Sequence, residues 1–176
     1  MNIKNILIIG AIVAFGALVV FARASIEASG TTAIDTPDRA TYEQAKPDVI
    51  TVYKTEVCGC CLNWVDHLER NDLEVEIVNV ASTAPTREHF GVPPQLLSCH
   101  TGSINGYWVE GHVPADLVQK LITEKPTDIR GISAPGMPMG SPGMEGPNPV
   151  KFDIIAYHAD GTTSVYATRQ GKEAVE

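Results

Sequence analysis

The stretch VITVYKTEVCGCCLNWVDHLERN, Val49 to Asn71, decides how this chain folds. Its first seven residues alternate and are rich in β-branched side chains, which is the pattern of a strand. Its second half carries Leu62, Val65 and Leu68 at helical spacing. Between the two lie Cys58, Cys60 and Cys61, three of the four cysteines in the chain. A further strand pattern, VEIVNV, follows at Val75 to Val80. Strand, helix and strand in this order form the unit that joins two parallel strands, and it sets the thiols at the N-terminus of the first helix.

Downstream, a short helical piece near Pro85 to Phe90 leads into the loop GVPPQ. Strand patterns over Leu96–Ile104 and Tyr107–Gly111 then flank Asn105-Gly106, the strongest short hairpin signal in the chain. A helix from Pro114 to Glu124 follows, with proline where a missing N–H costs nothing. The sum is β-α-β-(α)-β-β-α, the thioredoxin order, and a CxxC frame from Cys58 to Cys61 between the first strand and the first helix strengthens it. The expected fold class is therefore α/β, a thioredoxin-like domain over residues 49–176. Residues 132–149, ISAPGMPMGSPGMEGPNP, are too rich in proline and glycine for a regular element and read as a loop. After them KFDIIAYH and TTSVYATR flank Ala159-Asp160-Gly161, an added C-terminal hairpin.

Upstream, Lys4 precedes a 17-residue apolar run, Ile6 to Ala22, which ends on Ala22-Arg23-Ala24. A positive start, an apolar core and an A-x-A site are the parts of a secretory signal, though the run is also just long enough for a membrane anchor. Residues 1–24 are read as one or the other and the polar residues 25–48 as a flexible linker. Either reading puts the domain outside the cytoplasm, in a bacterial periplasm, and lets it touch a membrane only through the N-terminal segment. Without that segment 152 residues remain, with 11 basic against 21 acidic side chains and a formal charge of −10. No basic stretch survives, which excludes nucleic acid as a partner.

An exported chain with four cysteines is ordinarily read as two disulfides. Pairings such as Cys58–Cys61 or Cys60–Cys99 are open, but a domain of this size needs no such staples, and adjacent cysteines make a poor structural bridge. At a helix N-terminus the dipole and the free N–H groups favour thiolate, so the cluster reads as reactive. A dithiol oxidoreductase needs two cysteines, here Cys58 and Cys61, and a third beside them competes for every mixed disulfide. For a soft metal the third thiol is an asset, since Cu(I) and Zn(II) both favour thiolate. Structural zinc takes well-separated ligand pairs, whereas thiolates bridging several Cu(I) ions tolerate adjacent Cys60 and Cys61. Cys99, placed on the strand before the Asn-Gly turn, is the candidate fourth sulfur. His100 beside it faces the opposite side if both lie on a strand. His112 either faces the cluster or caps the last helix, His67 lies two turns along its helix and too far for direct ligation, and His89 and His158 read as surface residues. Apart from the initiator, the methionines are Met137, Met139 and Met144, all in one loop and all soft thioethers, so Met137 and Met139 join the candidate ligands. Trp64 either shields the cluster or fills the core.

The blocks VYKTEVCGCCLNWVDHLE, GVPPQLLSCHTG, GYWVEGHVPADLVQKLI and PGMPMGSPGME resemble the CopG family of periplasmic copper-resistance proteins, long catalogued as a domain of unknown function and distinct from the ribbon-helix-helix repressor of the same name. The resemblance spans about residues 49–165. It implies a thioredoxin-like fold whose CxCC motif and later cysteine, here Cys58, Cys60, Cys61 and Cys99, bind copper, with a multinuclear Cu(I) cluster and a copper redox role as the expected chemistry. The expected cofactor is copper as Cu(I), and the expected partners are copper ions and another periplasmic copper protein or exporter. One departure is the Asn71-Asp72 turn, which stands where a glycine is expected after the first helix.

Overall fold

The computed structural model describes Tyr42, residues 46–171 and residues 173–175. The leader expected over residues 1–24 and most of the linker over 25–48 lie outside the described residues. Among the described residues no helix is long and apolar enough to cross a membrane.

Among the described residues the fold is a mixed α/β arrangement of three full helices and one eight-stranded sheet. Strand β1 (Val49–Lys54) runs through the sequence expected for it and is buried along its whole length. Helix α1 (Gly59–Glu69) returns the chain to β2 (Glu74–Asn79), which pairs with β1 in parallel. The face that α1 buries is Cys61, Trp64, Val65 and Leu68, spaced i, i+3, i+4 and i+7. Leu62, expected on that stripe, instead points outward and is 46% exposed, because the bulkier Trp64 takes the core position. Burial of Val65 and Leu68 contributes about 1.5–3 kcal/mol each. At the end of α1, Asp72 takes the left-handed conformation (φ 62°) expected of a glycine, a conformation to which aspartate is better suited than most residues.

Helix α2 (Ala84–Phe90) ends on Gly91 and leads to a single 3-10 turn at Pro94–Leu96. Strand β3 begins only at Thr101 and runs to Ile104, so Cys99 and His100 are not on the strand, as the sequence pattern suggested, but in the connection just before it. Asn105 and Gly106, both at positive φ, close the expected hairpin to β4 (Tyr107–Glu110). Helix α3 (Ala115–Glu124) buries Ala115, Leu117, Val118 and Leu121.

Beyond α3 the chain adds a strand that the sequence pattern did not indicate, β5 (Ile129–Ser133), parallel to β4. Ile132 and Ser133 therefore belong to the sheet, and the irregular loop starts after them. Gly131 is forced here by packing, since a Cβ would lie 2.1 Å from the Trp108 ring. Strands β6 (Lys151–His158) and β7 (Thr163–Gln170) form the expected C-terminal hairpin, and β8 (Glu173–Ala174) closes the edge. The sheet order is β2-β1-β3-β4-β5-β6-β7-β8. The main core gathers Ile50, Val52, Trp64, Leu68, Val109 and Ile132, and α1 and α3 both contribute to it. This core fixes the start of α1 beside the connection that carries Cys99.

Candidate metal centre

Cys58 is the N-cap residue of α1, and Cys60 and Cys61 occupy its first turn. Cys61 is fully buried, while Cys58, Cys60 and Cys99 are half-buried. Cys58 and Cys61 are joined as a disulfide with their Cα atoms 5.4 Å apart, and Cys60 and Cys99 are free thiols. The open question of pairing is thus resolved as one bridge, across the CxxC frame. Each half of the bridge has a free cysteine beside it: the Sγ atoms of Cys58 and Cys60 are 3.6 Å apart, as are those of Cys61 and Cys99. All four sulfurs lie within 4.8 Å of one another, close enough to share a metal ion.

Around Cys99 a second donor group converges. Its Sγ is 3.1 Å from His100 Nδ1 and 3.1 Å from His112 Nε2. His100 faces the sulfur, against the strand-based expectation, because side-chain alternation does not apply to a residue outside a strand. Both imidazoles are fully buried. His112 Nδ1–H donates to the Pro142 carbonyl at 2.7 Å, which leaves its Nε2 lone pair facing Cys99. His112 thus faces the sulfur and does not cap the last helix. The capping is done by His67, whose Nε2 accepts the Ala115 N–H at 3.0 Å. His158 contacts Asp128 and Ser164, and His89 stacks on Tyr42.

Burial holds His100 well below the usual histidine range, and the neighbouring His112 adds to the effect. Burial also lowers His112, against the Pro142 carbonyl and the Glu145 charge. Both rings are neutral donors at pH 7. The unfolded chain takes up these protons near pH 6.5 whereas the folded chain resists them, so stability is fully present above that pH and is lost as pH falls below it. Denaturant unfolding of the metal-free, bridged protein is expected to lose about 1.4 kcal/mol per pH unit per histidine below pH 6.5. His112→Asn is expected to make that dependence shallower by about one proton. The Cys99 thiol is pushed up to about 12 by burial and then by Cys60, so it keeps its proton until a cation displaces it.

The loop after β5 reaches this centre through its backbone. Gly143, at φ +82°, packs so closely on the start of α1 that a Cβ would lie 2.8 Å from both the Cys60 carbonyl oxygen and the Trp64 nitrogen. Together with Pro142 it lays the loop over the cysteine helix. Of the candidate thioethers, Met137 lines a surface groove of about 270 Å³ with Leu97, Ser98, Cys99 and Gly136. Met139 lies against Gly146 and is 42% exposed, and no described contact joins it to the sulfurs. Trp64 fills the core beneath the site, with its ring 4.4 Å from that of His100 and its indole N–H donating to Val113 O at 2.8 Å.

Two residues to which the sequence pattern gave no role hold the Cys99 connection. Glu110, at the end of β4, is fully buried; its Oε1 accepts the Ser98 N–H at 2.8 Å and Arg87 Nε–H at 2.9 Å, and its Oε2 accepts the Thr101 hydroxyl at 2.6 Å. Arg87, from α2, also donates to the Ser98 carbonyl. The one sequence signal was an acid ending an apolar strand, YWVE.

The arrangement combines soft sulfur donors with neutral imidazoles, a set suited to copper or zinc and not to hard cations. A family model described as protein of unknown function, DUF411, matches residues 96–144. No curated protein matches the chain. Two solved structures do, both described as copper resistance protein CopG. Form 1 is 40% identical at a TM-score of 0.66, over 72% of this chain and 100% of that one. Form 2 is 40% identical at a TM-score of 0.66, over 70% of this chain and 99% of that one.

Proposed function

Because the chain belongs to the family of the copper resistance protein CopG, we propose that it is an exported copper-binding protein of copper resistance. It holds Cu(I) on Cys58, Cys60, Cys61 and Cys99 when the bridge is reduced. His112 and His100 serve as nitrogen donors, and Met137 is the one thioether whose position beside Cys99 favours a part. The observation that carries this reading is the convergence of four sulfurs within 4.8 Å at the start of one helix. Copper is favoured over zinc because adjacent Cys60 and Cys61 suit bridging between soft ions better than one tetrahedron. The periplasm is the proposed compartment, reached through the segment 1–24. A copper exporter or another copper protein there is the proposed partner. The run β2-β1-β3-β4, with α1 crossing from β1 to β2 and α3 following β4, supports a thioredoxin-like origin for the domain over residues 49–176.

A second reading, a thiol–disulfide oxidoreductase using Cys58 and Cys61, is favoured by the bridge itself. An anaerobic Cu(I) titration of the reduced protein against a competing chelator, with native mass spectrometry to count ions, separates the two. The copper reading expects two or more tightly held ions and a loss of number or affinity in Cys99→Ser. The oxidoreductase reading expects weak copper binding and disulfide-reductase activity untouched by Cys99→Ser.

A further inference from the structure

We infer that Arg87 and Glu110 are positioning residues for Cys99, clamping the connection that carries its sulfur in place beside the cysteine helix; the inference rests on the copper reading above. Cys99 belongs to no helix or strand, so its place is set by what binds its backbone and that of its neighbours. Ser98 supplies both handles. Its N–H is taken by Glu110 Oε1 and its carbonyl by the Arg87 guanidinium, while the same guanidinium donates through Nε to the same Glu110 oxygen. The three groups close a ring of charge-assisted hydrogen bonds around one residue, Ser98, holding the peptides on both of its sides.

The clamp continues on either side. The Thr101 hydroxyl holds the other oxygen of Glu110, and Gly111 N–H donates to the His100 carbonyl at 3.0 Å. Gly111 itself, at φ +72°, is a glycine because a Cβ would stand 2.4 Å from Ser98 Oγ. The acid therefore ties together the three segments that the site needs: the connection carrying Cys99 and His100, strand β3, and the end of β4, two residues before His112. Without its cation the buried carboxylate would be uncompensated, and without the carboxylate the guanidinium would lose its orientation toward Ser98. In metal sites, groups that orient the direct donors typically change affinity by about 10–100-fold when removed. The same factor is expected here.

The test uses Arg87→Lys, because Arg87→Ala strands a buried charge and risks unfolding the protein. Lysine keeps a cation opposite Glu110 but cannot reproduce the planar fork that holds carboxylate and carbonyl together. Cu(I) affinity is measured by chelator competition in wild type, Arg87→Lys, Cys99→Ser and the double variant. The expected result is an affinity loss of about 10–100-fold in Arg87→Lys that disappears in the Cys99→Ser background, because the clamp acts through that sulfur. A second readout needs no metal: in the bridged protein, alkylation of Cys99 by iodoacetamide is expected to quicken by about tenfold in Arg87→Lys while that of Cys60 stays unchanged. Equal losses of affinity with and without Cys99, or a Cys99 alkylation rate that does not move, overturn the inference. If wild type holds no copper the functional reading fails, and the alkylation rates still decide whether the clamp positions Cys99.

Discussion

Reduction of the Cys58–Cys61 bridge is expected to raise Cu(I) affinity by at least about 100-fold. Bridged sulfurs carry no thiolate, so the oxidised protein keeps Cys60, Cys99, the two imidazoles and the Met137 thioether as donors among the described residues. Losing groups that merely orient a donor costs about 10–100-fold in metal affinity, and here two of the four proposed cysteine donors are withdrawn. The coupling runs both ways. If copper binds the reduced form 100-fold more tightly, saturating copper raises the two-electron potential of the couple by about 60 mV, from about 30 mV per tenfold. Parallel titrations of bridged and reduced protein against one chelator check the affinity, and thiol trapping in graded redox buffers checks the potential. Equal affinity in the two states would mean that the bridge is not part of the site.

Trp64→Ala is expected to cost about 3–5 kcal/mol of stability, among the largest effects of any single side-chain truncation in this fold. Trp64 is fully buried and joins α1 to β3, its ring lying against His100 and 3.5 Å from the position of a Cβ on Gly102. The residue that anchors the cysteine helix is thus also a wall of the donor group around Cys99. Trp64→Phe keeps much of the packing but leaves the Val113 carbonyl without its indole partner, for a smaller cost of about 1–3 kcal/mol. Urea unfolding of the bridged protein at pH 7.5 gives both values. A Trp64→Ala cost below that of Trp64→Phe would show that the ring is not the anchor.

Much of this site was legible along the chain because local rules applied. Alternation gave β1, the cysteines fell at the start of α1, and Asn105-Gly106 closed its hairpin. Legibility failed where long-range packing decided the outcome. Strand β5 carries a glycine in mid-strand and shows no alternation; it is held by its pairing with β4 and β6, with Gly131 fitting under the Trp108 ring. His100 was turned away by a strand rule that did not hold at its position. The loop over residues 134–149 is set apart by its methionines, yet it reaches the site through the Pro142 carbonyl, the Gly143 backbone and Gly136, whose carbonyl accepts the Ser98 hydroxyl, contacts that no composition reveals. Arg87 and Glu110 lie 23 residues apart, and only the folded chain brings them to one residue, Ser98.

X-ray absorption at the copper edge, on reduced protein loaded with Cu(I), reads the donor set of the bound copper itself. The expected result is a sulfur-dominated coordination shell with a short copper–copper distance, and a shell poorer in sulfur in Cys99→Ser. A shell of nitrogen and oxygen alone, unchanged by Cys99→Ser, would contradict it.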